Sequence, residues 1–267
     1  MGRVLGVGPG SMNGLRWLAR VGPCPLDPWR YAMGWSEVAA RSHARRLQNE
    51  GWLARYPMIW GEGYLFVATV AGTREAGVRA RPVRRTTASL WEQHTAVAWT
   101  AARVKLRGHG LLGAREILER PEWSEEIHWQ EHHHSGSWGA YQGHHVTNHW
   151  TNLRPDLILI LRDGCQLPIE VELTRKPDGR LRAALFRHAV WCARGQSGGV
   201  IYVCANSHEC ERVIKHAGDV GLLEDRDAIR IELLETIRQQ TANAFERRRD
   251  EPLRSGIKPR ARSEQEV

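Results

Sequence analysis

The sequence predicts an α/β fold of the α+β kind: a small helical unit in front, then a mixed sheet flanked by helices. Two observations predict it. Behind about residue 156, apolar runs of strand length alternate with helix-length amphipathic segments, as in a sheet with helices on its faces. Ahead of about residue 80, short helical segments are followed by two short apolar runs around a Gly-rich turn. The 267 residues, 42% hydrophobic and 25% charged, suffice for one large domain or two ordinary ones.

Taken in order, residues 1–13 are a Gly-rich, flexible lead-in, without the apolar core of a signal peptide. Short helices are expected at about 14–20 and 28–33, separated by a Pro-rich break. Ser36 has N-cap chemistry and Glu37 suits the first turn of the helix that follows, which stops at Gly51. Ala40, Ala44 and Leu47 recur on one face of it, while Arg41, Ser42, Arg45, Gln48 and Asn49 fill the other. "WLARYPM" and "GYLFVAT" are paired strands, with their turn at Ile59–Glu62. The charged stretch 79–88 reads as a linker.

A second unit, 89–246, opens with a helix at 89–107, followed by "REILERPEW" as an edge strand ended by Pro121. Residues 124–150 form a His-rich insertion, with seven His between 128 and 149; this density permits metal binding, but the favoured reading is a mobile polar loop lying over nucleic acid. Strands are expected at 156–161, 167–173, 199–204 and 228–233, with helices at 180–194, 208–218 and from the last strand to about 247. The polar, basic tail 247–267 reads as disordered.

Charge is unevenly spread. Residues 1–120 hold 18 Lys+Arg and 8 Asp+Glu, a net +10, whereas the other 147 hold 20 and 22, a net −2. A basic front suggests a polyanion partner, although the preference for Arg fits a GC-rich genome as well. No apolar run is long enough for a membrane span, so no membrane partner is expected. Cys24, Cys165, Cys192, Cys204 and Cys210 include no Cys-x-x-Cys pair and read as reduced, in a cytoplasmic protein.

The stretch "RPDLILILRDGCQLPIEVELTRK" carries the candidate chemistry. Side chains at i and i+2 of a strand share a face, so Glu170 and Glu172 project together, away from Ile169, Val171 and Leu173. Pairing through the turn at Arg162–Gln166 brings Asp156 beside them at one sheet edge. Three close carboxylates repel unless a cation sits among them, and oxygen donors of this kind suit Mg2+ or Mn2+. Three solvated acids on a sheet edge are the other reading. Arg187, His188 and Glu116 are candidate accessory groups, and Tyr202 reads as core.

These residues carry a resemblance. The front, from Ser36 to Leu53 above all, resembles a winged helix-turn-helix domain over about 14–78. The resemblance implies double-stranded DNA as partner, with Arg41, Arg45 and Gln48 at base edges or phosphates and Arg55 of the wing along the backbone; an amphipathic surface helix with solvated charges gives the same pattern. Pro155-Asp156 followed by Glu170-Val171-Glu172 resembles the PD-(D/E)xK nuclease superfamily, whose fold is restriction-endonuclease-like. That implies Asp156, Glu170 and Glu172 as metal ligands and catalytic groups. The family lysine is replaced by Glu172; the nearest cations downstream are Arg175 and Lys176, and the long stem of Lys176 suits it to take that role. The two-unit chain is similar to the replication-relaxation proteins of plasmids and mobile elements. This implies a metal-dependent nuclease or nickase acting in replication or mobilisation, or a DNA-binding accessory factor with a degenerate nuclease fold. Either is compatible with a homodimer.

Overall fold

The computed structural model describes residues 7–58, 63–83, 87, 90–123, 154–224 and 228–255. The His-rich insertion, the turn at 59–62 and residues 256–267 lie outside them. The front begins with α1 (Pro9–Val21), a two-residue strand β1 (Cys24–Pro25), α2 (Leu26–Met33) and α3 (Glu37–Asn49). α1 starts within the stretch expected to be a flexible lead-in: Pro9 at its first position suits a helix N-terminus, and Leu15, Trp17 and Leu18 bury its inner face. The Ser36 side chain accepts the Ala39 N–H at 3.2 Å, capping α3 as its chemistry predicts. Strands β2 (Leu53–Pro57) and β3 (Tyr64–Ala68) pair antiparallel, and β1 joins β3, giving a three-stranded sheet of order β1-β3-β2. A short helix α4 (Val70–Glu75) follows, with Gly72 against the Trp52 carbonyl where a Cβ would come within 2.0 Å.

The back is a mixed five-stranded sheet of order β4-β5-β6-β7-β8, flanked by helices: α5 (Trp91–Leu106), β4 (Gly110–Leu112), α6 (Ala114–Ile117), β5 (Leu157–Ile160), β6 (Gln166–Glu172), α7 (Asp178–Ala193), β7 (Val200–Cys204), α8 (Ser207–Asp219), β8 (Ile229–Leu233) and α9 (Leu234–Ser255). β5 runs antiparallel to β6, whereas β7 and β8 continue it in parallel. Pro168 is tolerated within β6 because the β7 ladder begins only at Ile169.

Two expectations need correction. "REILERPEW" is not a strand. The edge strand is β4, just before it, and the stretch folds into α6 and a 3-10 turn at Pro121–Trp123. The Glu116 carboxylate accepts the Gly113 N–H at 3.1 Å and starts the turn, and Ile117 and Trp123 bury toward Trp191. The tail expected to be disordered from 247 continues α9 as far as Ser255.

The stretch 79–88 does not separate two cores. One apolar cluster runs from Leu15 and Leu18 of α1 through Leu47 and Phe66, across Ala98 and Ala101 of α5, to Leu157, Ile169, Val203 and Ile237. α5 is the shared element; Ala96, Ala98, Ala101 and Ala102 let neighbours approach it on several sides. At the linker, Arg115 donates to the Arg81 carbonyl at 2.8 Å and the Pro82 carbonyl at 3.0 Å.

Candidate functional site

The alternation of β6 divides the sheet into two unlike faces. Ile169 and Val171 join the large core with Ile201 and Val203. Glu170 pairs in register with Tyr202, and Glu172 with Cys204, on the face covered by α7 and α8. The two glutamates therefore share a face as predicted, yet they are only 6% and 1% exposed. They are not on a sheet edge, since β5 and β6 are interior strands. They lie toward the C-terminal end of β6, which the loop to α7 covers.

Asp156 reaches the same place by register. Leu157 pairs with Ile169, so the preceding residue stands opposite Glu170, and the Asp156 N–H donates to the Ile169 carbonyl at 3.0 Å. The Val171 N–H donates to Asp156 Oδ2 at 2.8 Å. Gln93 of α5 donates from Nε2 to the same oxygen at 3.3 Å and to the Val171 carbonyl at 3.0 Å. Nothing in the sequence singled out Gln93, because no local pattern couples a residue of α5 to a strand more than sixty positions away.

Each glutamate meets a cation supplied by the chain itself. Lys176, in the loop after β6, puts Nζ 2.6 Å from Glu172 Oε2. Arg212 of α8 pins that loop, donating to the Lys176 carbonyl at 2.9 Å and to Asp178 at 3.0 Å. Glu170 Oε1 lies 2.6 Å from Arg187 Nη2 and 2.9 Å from His188 Nε2, both on α7. Arg187 stacks on Trp191, its Cζ 4.7 Å from the ring centre. His188 Nε2 cannot both donate to Glu170 and accept from Arg187 at 3.3 Å. The shorter contact with a carboxylate wins, and places the proton on Nε2.

The electrostatics follow from burial and these partners. Burial first, and the Glu170 charge second, push Asp156 up to about 7, so it is about half-protonated at neutral pH. Burial would raise Glu170 too, but the His188 hydrogen bond and the Arg187 charge outweigh it and hold this carboxyl below its usual range. Glu172 is raised by burial, with Lys176 partly offsetting the effect. Burial opposes the Lys176 charge, yet Glu170, Glu172 and Asp156 together raise its pKa. Burial pushes His188 down to about 4, leaving it neutral at pH 7.

The four residues Asp156, Glu170, Glu172 and Lys176 thus come together. Arg187 and His188 join them as direct partners of Glu170. Glu116 does not: it caps α6 and sits 3.5 Å from Arg20. Tyr202 is wholly buried in the sheet, as expected for core. The expected Mg2+ or Mn2+ site can be tested on its donor set. The oxygens are of the right kind for a hard cation, but two of the three carboxylates are already matched by Lys176 and Arg187. Among the described residues no three His, Cys, Asp or Glu side chains converge as a metal cage. As arranged, the cations that balance these acids come from the chain itself, Lys176 at Glu172 and Arg187 at Glu170.

In the front unit, Ala40, Ala44 and Leu47 bury α3 against α1, α2 and the small sheet. Arg41, Ser42 and Arg45 are exposed and Gln48 is half-buried, along one outward face. Arg41 holds Glu37 at 2.7 Å. Arg46 and Asn49 are also exposed, and Val38 is 79% exposed near the start of the same helix. Arg55 of β2 lies over the Tyr64 ring at 4.6 Å.

Among the described residues no helix is long and apolar enough to cross a membrane. Comparison with known proteins adds no relative: no family model, curated protein or solved structure matches the chain.

Proposed function

We propose that the protein binds double-stranded DNA through α3 and that its back unit is a nuclease-like scaffold without a working metal site, serving a replication or mobilisation role of the kind its family resemblance implies. One observation carries the first half of this reading. α3 is capped, seated on a three-stranded antiparallel sheet by Ala40, Ala44 and Leu47, and turns Arg41, Ser42 and Arg45 outward. The order helix, strand, helix, helix, hairpin is that expected of a winged helix-turn-helix, in which such a helix enters the major groove and a wing residue such as Arg55 follows the backbone.

The test is the salt dependence of duplex binding. Arg41→Ala combined with Arg45→Ala should weaken binding and reduce the slope of log K against log[salt] by about 1.8, about 0.9 for each phosphate that is no longer neutralised. An unchanged slope would remove α3 from the interface.

A second reading is a Mg2+- or Mn2+-dependent nuclease or nickase, favoured by the convergence of Asp156, Glu170 and Glu172 with Lys176 at the end of β6. It requires Glu172 or Glu170 to release its internal cation when DNA or metal arrives. Nicking of supercoiled plasmid that depends on the metal and is lost in Asp156→Ala would establish it over the first. The charge pairing here supports the opposite outcome, intact binding without nicking.

A further inference from the structure

On the face of the sheet opposite Glu170 and Glu172 there is a cavity of about 400 Å3 that neither the acid cluster nor α3 uses. Its floor is aliphatic, built from Leu159, Leu161, Leu167, Ile169 and Ile201. Its charged end is formed by Arg103 of α5, by Arg107 just after that helix, and by Arg230 and Glu232 of β8. Among the described residues that line it, Glu232 is the one carboxylate. That carboxylate is already shared: Arg103 donates to both its oxygens, and Arg230 Nε lies 2.8 Å from Oε1. Arg107 meets a neutral acceptor instead, donating to Gln240 Oε1 at 3.2 Å.

Three guanidiniums facing one carboxylate leave an excess of two positive charges beside an apolar floor. Burial first, and the Arg103 charge second, lower the pKa of Arg107. An anionic head placed there relieves the repulsion, and a guanidinium fork matches a planar carboxylate in two-point fashion. The floor offers that head's carrier only aliphatic contacts, which gain from excluding water.

We propose that this cavity is a binding site for a small carboxylate with an aliphatic body, its head on Arg107 and Arg230 and its chain over Leu161 and Leu167. The proposal does not rest on DNA binding. It also places a ligand on the reverse side of the strand that carries Glu170.

Calorimetric titration of the full chain with octanoate tests it, with octan-1-ol and acetate as the head-free and chain-free controls. Octanoate should bind at least tenfold more tightly than either. Arg107→Gln should weaken octanoate at least tenfold, and Leu167→Trp, which fills the cavity, should abolish it. Circular dichroism checks both folds, and Arg107→Gln decides alone if Leu167→Trp fails to fold. Octanoate binding no tighter than octan-1-ol or acetate, or binding that is unchanged in Arg107→Gln, overturns the proposal.

Discussion

Replacing Asp156 by Asn should make the protein more stable at neutral and alkaline pH. Burial and the neighbouring Glu170 charge raise this carboxyl to about 7, against about 3.9 in an unfolded chain. A group raised on folding stabilises fully below its unfolded pKa, and that contribution is lost as pH climbs through the folded one. For Asp156 the loss runs from about pH 4 to about pH 7. Three units at about 1.36 kcal/mol each amount to about 4 kcal/mol. This is an upper bound, since the residue is only half-buried. Asparagine cannot ionise, yet its side-chain oxygen still accepts from the Val171 N–H and Gln93. Urea unfolding at pH 4, 6 and 8 measures the difference directly. The two proteins should be close at pH 4, and the Asn variant should lead by up to about 4 kcal/mol at pH 8. All other titrating groups are common to both, so the difference isolates this position. Parallel pH profiles, or an Asn variant that is the weaker at pH 8, would refute the account of the cluster.

Other outcomes follow from the same geometry. Lys176→Met leaves Glu172 buried without its cation and should cost about 3–5 kcal/mol, most of it recovered by adding Glu172→Gln; a double-mutant cycle in urea checks the coupling. His188 should titrate near 4 by NMR, its neutral ring donating to Glu170. Because its folded pKa lies below the unfolded value of about 6.5, its contribution is complete above pH 6.5 and fades as pH falls toward 4. His188→Gln should flatten that acid-side loss, and an imidazole titrating at 6 or above would contradict the burial argument.

Local rules carried much of the architecture. The cap at Ser36, the apolar spacing of Ala40, Ala44 and Leu47, and the shared face of Glu170 and Glu172 are short-range properties, and each appears in the fold as its pattern implies. The reading of 115–123 failed for a long-range reason. Ile117 and Trp123 are apolar enough for a strand, but Trp191 of α7 packs them as a turn, and the Glu116 carboxylate, which suits a strand edge no better than a cap, is engaged by the Gly113 N–H. Likewise, α1 begins inside a Gly-rich stretch because its partners, including His43 of α3 against Ser11, are far along the chain.

The sequence by itself determined that two glutamates share one side of a strand and that an aspartate precedes its antiparallel neighbour, since alternation and the turn between them are matters of a few residues. Only the tertiary structure decided what those acids face. Burial, which the chain cannot display locally, turned a surface trio into an enclosed one. It then required compensation from wherever cations could reach: Lys176 from a loop held by α8, and Arg187 from the middle of α7. Charge balance in a low-dielectric interior is a property of the whole packed assembly, and no window of sequence contains it.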